Sequence, residues 1–128
     1  MDSDNHIFVG KISDEISKLL NVELPTKLVF KHSEGLRKHV ERRHPEAIKY
    51  LSVLDEILNN PDFVGVGSDK DNLSLEFVKE FDDNVLMALK LHTNKEFYYI
   101  PSVYPITEKK LKNRTFSGRL KRFDKKWE

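Results

Sequence analysis

Cysteine is absent from the 128 residues, which removes disulfides and thiolate metal sites and suits a reducing compartment. No apolar run approaches the length that spans a bilayer. Met1-Asp2-Ser3-Asp4 is acidic and lacks the basic-then-apolar pattern of a signal peptide. The expectation is a cytoplasmic chain with no membrane partner. Metal signatures are missing too: there is no HExxH, no EF-hand loop, and no pair of histidines four apart. Glycine is scarce, and Gly65 and Gly67 precede no helix, so there is no glycine-rich phosphate loop. No nucleophilic-serine motif stands out, and no repeat or low-complexity tract appears. Neither metal nor cofactor is expected.

What is present is a polar globular composition, 38% hydrophobic and 34% charged, enough for one domain over 1–128. The net charge is only +1, but it is unevenly spread. Nine Lys and Arg from Lys109 onward face only Glu108, Asp124 and Glu128, a second basic cluster occupies 37–43, and 55–83 is mostly acidic. Such asymmetry fits either a polyanion footprint or a lysine-solubilised tail.

Along the chain, Ile7-Phe8-Val9 reads as a short strand or an anchoring tip. Ser13 caps a short helix with Ile16, Leu19 and Leu20 on its apolar side, closed by Asn21 and Pro25. A strand is expected over 27–31 and a helix over 34–44, capped by Ser33. Pro45 then starts a second helix, 45–58, with Ile48, Leu51, Leu54 and Leu58 at helical spacing. Asn59-Asn60-Pro61-Asp62 stops it. From there the period is two, giving strands at 63–67, 73–77, 85–92 and 97–100. The second of these should be half-buried, with Ser74 and Glu76 opposite Leu73, Leu75 and Phe77. Turns fall at 67–72, 82–84 and 93–95. Thr107 caps a basic helix over 108–113. The predicted class is α+β, with N-terminal helices packed on a four-stranded antiparallel sheet.

The stretch richest in chemistry is Lys38-His39-Val40-Glu41-Arg42-Arg43-His44-Pro45-Glu46. On a helix advancing about 100° per residue, Leu36 and Val40 define the apolar stripe. Arg43 falls near its middle, His39 at its edge, and Lys38 and Arg42 point away. His44 sits at the corner between the two helices. Such a helix either lines a cleft or makes buried polar contacts. Lys90 lies on a strand face beside Leu86 and Ala88, where it either stabilises a bound phosphate or snorkels to water. His92 reads as a surface residue. Ser102, Tyr98, Tyr99 and Tyr104 cluster at the end of the last strand, where hydroxyls can position a phosphate and tyrosines can stack bases or fill a core.

These residues resemble the phage-type barnase–EndoU–colicin–RelE-like nuclease domains found in polyvalent phage and mobile-element proteins. The match rests on Leu28-Val29-Phe30, on His39 with Arg43-His44-Pro45-Glu46, on Leu54 through Asp62, and on four strands with Lys90 on the third. It covers about 27–115 and leaves 1–26 and the basic tail, 116–128, outside. The resemblance implies helices on one antiparallel sheet and metal-independent RNase activity. His39, Arg43, His44 and Lys90 would be its site residues, with a hydroxyl from Ser102, or equally Tyr104 or Thr107. Imidazoles take either proton role at neutral pH, and guanidinium groups grip phosphate. The implied function is an endoribonuclease of a phage or mobile-element effector or toxin. It would cleave RNA, such as tRNA, by attack of the 2′-hydroxyl, with an immunity or antitoxin protein as partner. Arg42, Tyr98, Lys112, Arg114 and Arg119 would bind the nucleic acid. The alternatives are a non-catalytic RNA- or protein-binding module on the same fold and a purely structural domain.

Overall fold

Period-two alternation, which marks the middle of the chain, produces the centre of a much wider sheet. The computed structural model describes residues 6–67 and 73–123. In order it contains β1 (His6–Lys11), α1 (Asp14–Leu20), β2 (Leu28–His32), α2 (Gly35–Arg43), a 3₁₀ helix (Pro45–Val53), α3 (Leu54–Asn59), β3 (Phe63–Val66), β4 (Ser74–Glu80), β5 (Asn84–Leu91), β6 (Tyr98–Ile106), α4 (Glu108–Phe116) and β7 (Leu120–Arg122). The strands form one sheet in the order β1-β2-β6-β5-β4-β3-β7. The expected turn at 68–72 and the last tail residues, with Lys125, Lys126 and Trp127, lie outside the described residues.

The predicted four-stranded antiparallel sheet behind N-terminal helices is therefore corrected: the sheet has seven strands, is mixed, and begins with a strand. The four expected strands are its consecutive antiparallel centre, β3 to β6. β1 and β2 pair with each other and extend the sheet through a parallel join of β2 to β6. β7 adds the far edge against β3. β6 also runs through Pro101 and Pro105 to Ile106. Proline lacks the N–H that a strand needs on both sides, but here one side is open. The parallel join spans only Val29 and Phe30 against Tyr98 and Tyr99, so among the described residues the rest of β6 has a neighbour only in β5.

Side chains alternate across the sheet, and each face has its own core. Val29, Leu75, Phe77, Val85, Met87, Leu89, Tyr98 and Val103 face α1, α2, the 3₁₀ helix and α3. On the opposite face Phe63, Val78, Leu86, Ile106 and Leu120 meet Leu111 of α4. β4 is consequently buried on both sides, Ser74 and Glu76 included, and not half-buried as the alternation suggested.

Local signals act where expected at two helix starts. Ser13 accepts a hydrogen bond from the Ile16 N–H and Thr107 from the Lys110 N–H. α2 differs: Ser33 does not cap it. The imidazole of His32 does, with Nδ1 accepting from the N–H groups of Glu34 and Gly35 at 3.3 and 2.7 Å. The helix expected over 45–58 divides into a 3₁₀ part and an α part. Ala47, Tyr50 and Val53 on one row, and Ile48, Leu51 and Leu54 on the next, repeat every three residues, the period of a 3₁₀ turn. Among the described residues no helix is long and apolar enough to cross a membrane.

Candidate active site

α2 lays Leu36 and Val40 into the core on one sheet face. Each such buried side chain contributes on the order of 1.5–3 kcal/mol, which fixes the helix beside β6. One residue before Val40, His39 projects at the helix flank, half-buried. Its Nε2 lies 3.2 Å from the Oγ of Ser102. Ser102 stands opposite Ala88, on the face that carries Leu86 and Tyr104. A helix from one face thus meets side chains of the other, because among the described residues no strand flanks this half of β6.

The chain turns sharply at His44, which has φ −142° and ψ 60°, and its N–H closes α2 on the Val40 carbonyl at 2.8 Å. Pro45, with its φ preset, opens the 3₁₀ helix. The corner brings the two imidazoles together, with ring centroids 6.0 Å apart. The His44 ring stacks on Tyr104 at 5.0 Å and 27°. Ser102 and Tyr104 each touch a histidine, whereas the Thr107 hydroxyl is engaged in capping α4.

Desolvation holds the pKa of His39 below its ordinary 6.5, and the nearby charges of His44, Arg42 and Arg43 push it further down. In the tautomer with the proton on Nε2, that N–H donates to the Ser102 hydroxyl oxygen, and the lone pair of Nδ1 is left to take a proton. Arg42 and Arg43 are both exposed. For Arg42 that agrees with the helix geometry. Arg43 is corrected from the core-facing stripe to the surface, because the helix ends at that residue and the chain turns away. Lys90 is half-buried on β5 opposite Tyr99 and Ser74, on the same face as Ala88 and Ser102.

Three of the residues expected to bind nucleic acid have other surroundings. Tyr98 is fully buried and opposite Val29 in the helix-side core, where no base can stack on it. Burial pushes its hydroxyl up to about 12, and that hydroxyl has no hydrogen-bond partner among the described residues. Arg114 and Arg119 converge on the buried carboxylate of Glu76, a residue whose strand position gave no sign of this role. Arg119 donates to it from Nε at 3.0 Å and from Nη2 at 2.6 Å, and Arg114 Nη1 lies 3.5 Å away. The approach passes over Gly65, which sits between Glu76 and Leu120 in register. A Cβ there would lie 1.9 Å from the Arg119 carbonyl oxygen. Lys112 is exposed on α4.

His6 and His32 belong to no motif in the sequence, and the expected surface position of His92 gives no hint of a cluster. All three rings gather with Phe97 at the β1–β2 end of the sheet. Among the described residues, no group of three or more His, Asp or Glu is arranged to hold a metal ion.

Comparison with known proteins gives one family. The model described as phage-Barnase-EndoU-ColicinE5/D-RelE like nuclease 3 matches residues 7–113. No curated protein and no solved structure matches.

Proposed function

Because the chain belongs to the phage-Barnase-EndoU-ColicinE5/D-RelE like nuclease 3 family, we propose that it is an endoribonuclease working through side chains alone. Nucleic acid is the substrate class that goes with a nuclease family. The finer reading, RNA cleaved by its own 2′-hydroxyl, rests on one observation above all. His39, with its lowered pKa, faces Ser102 at 3.2 Å on an open strand edge, with a second imidazole beside it.

In this reading the His39 imidazole takes the proton from the 2′-hydroxyl as its oxygen bonds to phosphorus. The bond from phosphorus to the 5′-oxygen breaks, and His44 supplies that oxygen with a proton. The products are a 2′,3′-cyclic phosphate and a 5′-hydroxyl. Lys90, on the same face as Ser102, and Arg43 at the helix end offset charge developing on the phosphate oxygens. Ser102 orients the His39 ring, and stacking on Tyr104 holds His44. Lys112 and Arg42, both exposed, draw in the polyanion. Unrestrained, such an activity would be toxic to a cell, which supports an effector role and an inhibitor protein as partner.

The test is incubation of the purified protein with total RNA in EDTA, beside His39→Ala and Lys90→Ala. Cleavage to cyclic-phosphate ends by the wild type, reduced about 10²–10⁴-fold in His39→Ala, is the expected result. Cleavage that stops on chelation would overturn the side-chain mechanism. Intact RNA under every condition, with folding confirmed and salt-sensitive binding retained, would instead assign a non-catalytic RNA-binding module.

A further inference from the structure

A concavity opens at the β1–β2 end of the sheet, near the elements that carry His39 and Ser102. It has a volume of about 450 Å³ and is lined among others by His6, His32, Leu36, His92, Tyr99 and Pro101. That is within the range of small-molecule sites. Its position relative to the proposed chemistry is set by the chain itself: Pro101 adjoins Ser102, and Leu36 lies about one helical turn before His39. Tyr99 is opposite Lys90 in register. A ligand filling it would therefore lie beside the elements that carry His39 and Ser102.

Three imidazoles and one tyrosine ring line it together with the apolar Leu36, Ile100 and Pro101. His92 stacks on Phe97 at 4.6 Å and 26°, and His6 meets Phe97, His32 and His92 edge-on at 5.2, 5.7 and 6.1 Å. A nitrogen that accepts a backbone N–H carries no proton of its own, so the tautomers of two rings are determined. His32 Nδ1 accepts from Gly35 and Glu34, and His92 Nδ1 accepts from Asn94. Each neutral ring therefore carries its proton on Nε2 as a donor. The Nδ1 of His6 is buried and has no hydrogen-bond partner among the described residues.

We propose that this pocket is a nucleobase subsite. It receives the unstacked base of the nucleotide adjoining the scissile phosphate, against imidazole and tyrosine rings that meet edge-on. The Nε2–H groups of His32 and His92 donate to acceptor atoms on the base edge, as single-stranded RNA is commonly read. The proposal rests on the nuclease reading for its neighbour but not for its own chemistry, and the two are separable by experiment.

The probe is each of the four ribonucleoside 3′-monophosphates, which have no bond to cleave, titrated into the wild-type protein. The ring-proton NMR signals of His6, His32 and His92 are the readout, with inorganic phosphate as the comparison. The expected result is a shift of these signals by at least one nucleotide and not by phosphate. Binding should weaken about tenfold in His92→Phe, which keeps the stack on Phe97 and loses the donor. His32→Asn should behave alike, since it retains an acceptor for the α2 N-terminus. Signals that ignore all four nucleotides, or move equally with phosphate, overturn the subsite. Shifts in a protein that leaves RNA intact would uphold the subsite while removing the nuclease reading. Cleavage without shifts would do the reverse.

Discussion

Replacing Glu76 by alanine separates what the basic C-terminal segment does for the fold from what it does for RNA. The carboxylate side chain is 8% exposed, while Arg114 and Arg119, which share it, are 22% and 33% exposed. Removing one partner of a buried ion pair costs about 3–5 kcal/mol. Water still reaches both guanidinium groups, so the loss belongs at the lower end, about 3 kcal/mol. With an unfolding entropy of about 2.1 cal/mol/K per residue over 128 residues, the thermal midpoint falls by about 11 °C. Urea unfolding of Glu76→Ala, Arg119→Ala and the double variant gives the coupling directly. The double variant should be no less stable than Glu76→Ala. RNA binding against salt completes the test. Lys112→Ala should lower the slope of log affinity by about 0.7 for a lost phosphate contact on a single strand, with stability unchanged. Arg119→Ala should do the opposite. A Glu76→Ala loss below about 1 kcal/mol, or a salt slope altered by Arg119→Ala in a fully folded protein, would refute the structural role of this trio.

Three further outcomes follow from single features. Since the folded pKa of His39 is lowered, its unfolded form binds more protons below the ordinary value. Its contribution to stability is fully present above pH 6.5 and declines as the pH falls through the folded value; urea midpoints against pH, with His39→Gln as the comparison, check the sign. The acid limb of the cleavage rate should likewise lie below pH 6.5, which a pH–rate profile reads. Tyr98→Phe deletes a buried hydroxyl with no partner among the described residues, so stability should hold or rise by up to about 1 kcal/mol; RNA binding, measured in parallel, should not change. Gly65→Ala places a Cβ against the Arg119 carbonyl and should cost at least about 1–3 kcal/mol, with hydrogen exchange accelerating in β7 first.

The local parts of this architecture could be read from the chain, and the non-local parts could not. Alternation identifies the strands from Phe63 to Leu91, and Ser13, Thr107 and Pro45 mark helix starts through bonds or dihedrals spanning a few residues. His39 and His44 stand out because two imidazoles flank two arginines within six residues. Glu76 carries no such mark: its alternation with Leu75 and Phe77 fits an exposed face until Arg119 arrives across Gly65. His6, His32 and His92 are equally silent, since strand pairing alone sets His6 against His32 and β5 delivers His92 from far along the chain. Pro101 points the wrong way, ending a strand on paper that continues in fact because its outer side needs no ladder.

That open side explains why the candidate site has the composition it does. Had β2 paired with β6 along its full length, a strand would stand between α2 and the edge of β6. His39 would then have no path to Ser102, nor His44 to Tyr104. Because the parallel join ends after Tyr99, a helix anchored by Leu36 and Val40 on one face can present its histidines to residues of the other. The same termination sends the chain from His32 straight into α2, making that histidine both the helix cap and a wall of the neighbouring pocket. The His39–Ser102 contact and the neighbouring pocket are thus consequences of one short strand join, so a change that extended the β2–β6 pairing past Tyr99 would remove both together.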